Sequence, residues 1–154
     1  MTLWNRWHHF REVPEAFPGL VLPASLRNQL VWDGECGFCA AMVTRLRHFA
    51  RAPFQARPYQ EVQGELPAEV LRWSTRQMHW VCADGRVLGG SLALGRVLAA
   101  SGHPMLAAWL TCPVMRPFTW LGYRLVADHR SSFGRVVGEE CALPQKPQSN
   151  QNQR

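Results

Sequence analysis

A short apolar run, Leu30-Val31-Trp32, ends in Asp33-Gly34, and the hydrophobic period then changes from strand-like to helical. Cys36 and Cys39 sit at that changeover. Nothing else in the chain constrains the fold as tightly. A buried strand must enter a turn and leave it as a helix that carries a CxxC pair in its first turn. From there Phe38, Met42, Val43, Leu46, Phe49 and Ala50 recur on one face, with Thr44, Arg47, His48 and Arg51 on the other. The pattern predicts an amphipathic helix running to about Arg51, with Pro53 stopping it.

The rest of the chain alternates in the same way. Phe54 to Tyr59 predicts a second strand with Pro58 at its end or on an edge, and Pro67 to Trp73 a short helix with Pro in its first turn. Met78 to Cys82 reads as a strand, Asp84-Gly85 as a hairpin turn, and Arg86-Val87-Leu88 as the returning strand. Gly90-Ser91 opens a helix to about Ala100, with Ser91 as N-cap and Gly102 as stop. Further helices are expected around Met105–Leu110 and Pro117–Asp128, their apolar residues filling the core together with the Trp residues. The order strand, helix, strand, helix, hairpin, helix is α/β, a thioredoxin-like arrangement with additional C-terminal helices.

Three segments are expected. Residues 1–26 read as an irregular N-terminal extension, because Pro14, Pro18, Gly19 and Pro23 break any long element. Within it Trp4, Trp7 and Phe10 could form one amphipathic turn. Residues 27–135 form the domain, and the Gln-, Asn- and Pro-rich residues 136–154 a disordered tail.

Composition narrows the class of function. Of 154 residues, 47% are hydrophobic and 18% charged, which is globular. The net charge of +6 comes almost wholly from arginine, Lys146 being the only lysine. The arginines are scattered from Arg6 to Arg154, unlike the concentrated charge of a nucleic-acid binder, so no nucleic acid is expected. Peripheral contact with a membrane surface stays open. The apolar stretch 104–127 is interrupted by Pro113, Arg116, Pro117 and Arg124, so no transmembrane span is expected. Five cysteines, an odd number with one close pair, point to a reducing compartment, the cytoplasm, and the N-terminus lacks the apolar core of a signal peptide.

A dithiol at a strand–helix junction has a physical use. The first Cys lies where the unpaired N–H groups and dipole of the helix favour a thiolate. The second lies one turn inside. Cys36 would attack a disulfide and Cys39 would resolve the mixed disulfide. The helix terminus supplies at most about 2 kcal/mol, roughly 1.5 pKa units. An ionised Asp33 about 7 Å away, at an effective dielectric of about 20, would oppose the thiolate by roughly 2 kcal/mol. Asp33 is therefore expected to accept the Cys39 proton, or to cap the turn, and not to activate Cys36. Spacing alone leaves three readings: redox chemistry, half of a zinc site in a partner-docking module, or inert thiols. No second CxxC or spaced His pair completes a zinc site, Ala40 stands where c-type haem needs His, and Cys82, Cys112 and Cys141 do not fit an iron–sulfur spacing.

The stretch Asp33-Gly34-Glu35-Cys36-Gly37-Phe38-Cys39 resembles the DxxCxxC signature of the DCC (DUF393) family of thiol–disulfide oxidoreductases. Asp84-Gly85-Arg86-Val87 followed by Gly89-Gly90 looks like that family's hairpin and next helix start, and residues 123–130, from Tyr123 to Arg130, like its closing segment. The resemblance covers about residues 28–135. It implies a thioredoxin-like fold and dithiol chemistry at Asp33, Cys36 and Cys39. For such an enzyme no bound cofactor or metal is expected. Thioredoxins differ in having Pro between the cysteines and a cis-proline where this chain has Arg76-Gln77.

Cys82, Cys112 and Cys141 are expected to be structural thiols, and His79 a strand-face residue. Tyr123 and Arg130 are auxiliary candidates, Arg130 as a cation near the dithiol. The expected partners are a disulfide-containing substrate and an electron donor or acceptor.

Overall fold

All four residues of β2 (Gln29–Trp32) are buried, so both faces of this strand must be covered. Leu30 and Trp32 point to one layer and Val31 to the other, and separate apolar clusters form on the two sides. The computed structural model describes residues 13–137, with side chains to His129. Around β2 lie β1 (Ala16–Val21), β3 (Gln55–Pro58), β4 (His79–Val81) and β5 (Arg86–Gly89), in the order β1-β5-β4-β2-β3. The helices are α1 (Gly37–Phe49), α2 (Tyr59–Val62), α3 (Ala68–Ser74), α4 (Gly90–Ala100), α5 (Pro104–Thr111) and α6 (Arg116–Val137).

β2 and β3 run parallel, with Trp32 beside Pro58. A parallel pair needs a crossover, and α1 supplies it. β4 is antiparallel to β2 and β5. Strands β2 to β5 with α1 and α4 make the thioredoxin-like α/β core. On one face Leu30, Trp32 and Trp80 meet Val43 and Leu46 of α1 and Ala93 and Val97 of α4. On the other, Val31, Val81 and Val87 meet Phe17, Val62 and Val70. The β4–β5 turn needs Gly85, whose φ is +86° and whose added Cβ would lie 2.7 Å from Val21 Cγ1.

The N-terminal extension is not irregular throughout. Residues 16–21 form β1, which pairs antiparallel with β5 and buries Phe17. Pro18 and Gly19 hide this strand in the sequence, yet an edge strand with an irregular register tolerates both. Gly89, not Ser91, caps α4; the Ser91 N–H and hydroxyl both donate to Glu15. Pro67 is the N-cap of α3 and not within its first turn. The C-terminal helices fill the core only in part: Ala107 of α5 joins it and Leu110 packs against it. Met105, Trp109, Phe118 and Leu125 stay exposed, while α6 turns Tyr123 and Arg124 inward and packs on α1 and α4. α6 also extends past Asp128 to Val137. The Trp4–Phe10 turn, Cys141 and residues 138–154 of the tail lie outside the described residues.

Candidate active site at the dithiol

The chain leaves β2 at Trp32 and turns at once. The Cys36 N–H donates to the Asp33 carbonyl at 3.2 Å, which closes the turn. Asp33 Oδ1 accepts the Glu35 N–H at 3.2 Å, so the carboxylate braces the loop that leads into α1. Gly34 lies against the neighbouring parallel strand, where an added Cβ would sit 2.8 Å from Pro58 Cβ. No other residue fits there without moving β3.

Gln60 completes the turn from the far side. Its Nε2 donates to Asp33 Oδ1 at 2.9 Å, and its Oε1 accepts the Gly34 N–H at 3.0 Å. One side chain on α2 thus holds two successive residues of the loop that leads to the dithiol. Sequence reasoning missed Gln60. The available signal was topological: the C-terminal ends of two parallel strands lie side by side, so the residues that leave β3 must meet those that leave β2. Tyr59, beside Gln60, has its hydroxyl pKa raised by burial first and then by the charges of Asp33 and Glu35.

Cys36 is the N-cap of α1, with extended backbone. Its Sγ accepts the Cys39 N–H at 3.3 Å. This is the geometry of an N-cap side chain, with sulfur in place of the usual oxygen. It offers a negative sulfur a backbone donor as well as the positive end of the helix dipole. Cys39 lies one turn further along, and both thiols are half-buried.

Cys39 also forms part of the wall of an open cavity of about 340 Å³ lined by α1, α6 and the sheet. Asp33 borders the same cavity, as do Trp32, Met42, Met78 and Tyr123. The Met78 N–H donates to Tyr123 Oη at 3.1 Å, which fastens α6 to the chain entering β4. Tyr123 is thus brought to the dithiol region; the Arg130 side chain lies outside the described ones. Cys82 and Cys112 do not border the cavity, and burial raises the Cys82 thiol above its ordinary pKa.

His79 is on the opposite face of the sheet, edge-on to Phe17 with ring centroids 5.5 Å apart. It is fully buried, and among the described residues neither ring nitrogen has a hydrogen-bond partner. Among the described residues no group of three or more His, Cys, Asp or Glu is placed to hold a metal ion, and no helix is long and apolar enough to cross a membrane.

The family model for DCC1-like thiol-disulfide oxidoreductase matches residues 30–136, more than half of the chain. No curated protein and no solved structure matches it.

Proposed function

The chain belongs to the DCC1-like thiol-disulfide oxidoreductase family, and from that premise we propose that Cys36 and Cys39 carry out thiol–disulfide exchange on a disulfide substrate. The observation that carries this reading is the placement of Cys36 Sγ at the helix N-cap, where it accepts the Cys39 N–H. Cys36, as thiolate, attacks one sulfur of the substrate; a mixed disulfide forms and the first substrate thiolate leaves. Cys39 then gives its proton to Asp33 and attacks Cys36 Sγ. The second substrate thiol departs, and the protein is left with a Cys36–Cys39 disulfide. The substrate gains two electrons and the dithiol loses them. A separate dithiol donor must restore the reduced state, and the same steps in reverse oxidise a dithiol.

In this reading the protein needs no bound cofactor or metal and works in a reducing compartment such as the cytoplasm. Asp33 holds the loop through Oδ1 and receives the proton, and Tyr123 positions α6 over the site.

Pre-reduced protein mixed with one equivalent of a chromogenic disulfide tests the proposal. Wild type should release two thiols per chain. Cys36→Ser should lose the reaction by at least about a hundredfold, as expected for a missing nucleophile. Cys39→Ser should release one thiol and stop as a stable mixed disulfide. Stoichiometric zinc bound through Cys36 and Cys39 in the purified protein would defeat the reading in favour of a metal-holding docking module.

A further inference from the structure

The exchange steps use the sulfur atoms and Asp33, but not the cavity behind them. We propose that this cavity binds an apolar group carried by the substrate, so that the disulfide attacked belongs to a small lipophilic molecule, an alkyl or aryl disulfide. This assignment rests on the exchange reading and names the substrate class for that site.

The cavity has direction. Cys39, Met42 and Leu46 are successive turns of α1 in its wall. At 1.5 Å per residue, it follows the helix for roughly 10 Å away from the dithiol. Val126 and Ala127 of α6 face it from the other side. The surface that the wall presents is almost wholly apolar, although Asp33, Ser74, Arg76, Gln77 and Thr119 contribute to it, so a polar or charged group placed along α1 would lose its water for few partners. A volume of about 340 Å³ falls within the range of pockets for small molecules. An alkyl or aryl group fills such a space with its sulfur at the Cys39 end, beside the N-cap turn from which Cys36 Sγ, itself outside the lining, reaches the Cys39 N–H.

The main chain agrees with this. A peptide substrate is commonly held by adding a strand to an exposed backbone edge. Beside the cavity, β4 has β5 and β2 as neighbours and the Met78 N–H at its entry is taken by Tyr123 Oη, so this part of the site offers a peptide no such edge.

The test is a series of alkyl 2-pyridyl disulfides, from methyl to dodecyl, in single turnover with pre-reduced protein. Release of pyridine-2-thione and then of the alkyl thiol is followed, and each rate constant is divided by that for 2-mercaptoethanol. The ratio should rise about threefold to fourfold per methylene, as burial of each carbon predicts, and level off once the chain outgrows the cavity at about eight carbons. In Ala127→Trp, which fills the cavity, the rise with chain length should disappear. A flat series in wild type, with the Cys36–Cys39 disulfide still formed, overturns the pocket and leaves the exchange reading standing. So does a soluble disulfide-bonded peptide that reacts as fast as the octyl compound. Failure to form the Cys36–Cys39 disulfide with any member overturns both. The wild-type series decides the matter even if Ala127→Trp does not fold.

Discussion

At the scale of single residues, the site divides into groups that react and groups that hold them. In the proposed exchange Asp33 belongs to both, and the two roles are separable. Asparagine keeps the Oδ1 acceptor that braces Glu35 N–H but cannot take a proton. Asp33→Asn should therefore leave the first attack within about twofold and slow resolution by roughly 10²-fold, the usual size of a lost proton acceptor. Stopped-flow release of the first and second thiol measures the two steps, and equal losses in both would remove Asp33 from the proton path. Gln60 only holds. Gln60→Ala breaks both of its bonds to the loop and should lower stability by about 1–2 kcal/mol in urea unfolding. The candidates Asp33, Cys36 and Cys39 stand out in the sequence because turn, helix start and thiols share one contiguous stretch. Gln60 is not, because it lies 27 positions from Asp33 and reaches it only through the pairing of β2 with β3.

At the scale of elements, the strands that form the core are legible and the edge strand is not. Leu30 to Trp32 and His79 to Val81 are short and apolar with turn residues after them, which is what a strand covered on both faces looks like. β1 carries Pro18 and Gly19 in its middle, and its existence depends on β5 being there to pair with. The sequence marks α1 for the same reason that it marks the site, whereas the outward apolar residues of α6 arise from packing no periodicity reveals. Within β4, His79 makes folding sensitive to pH. Burial lowers its pKa from 6.5 to about 4, so the folded protein keeps it neutral while the unfolded chain binds a proton below 6.5. Stability should thus fall as pH drops from about 6.5 to about 4, by up to about 3 kcal/mol from this residue. Urea midpoints across that range measure it. His79→Leu should flatten this part of the profile; an unchanged slope would assign the acid sensitivity to other groups.

At the scale of the whole molecule, one residue before the first strand ties distant parts together. Glu15 Oε1 accepts the N–H and hydroxyl of Ser91 at the start of α4, where the helix dipole favours a carboxylate. Its Oε2 lies 3.8 Å from Arg116 Nη2 at the start of α6. Next to it, Gln77 Nε2 donates to the Pro14 carbonyl at 2.7 Å. Glu15→Ala should lower stability by about 1–3 kcal/mol, the range for unmaking a half-buried charged hydrogen bond. It should also speed amide exchange in α6 more than in β2, measured by mass spectrometry. An equal change in both would make Glu15 a general stabiliser with no particular hold on α6. Glu15 and Ser91 are 76 positions apart, and contacts of such span are the slowest to form. β2, the loop and α1 are contiguous in sequence, so the cysteine pair should assemble before Glu15 makes its contacts with α4 and α6. In a refolding chain the thiols should then be most open to oxidation during that interval.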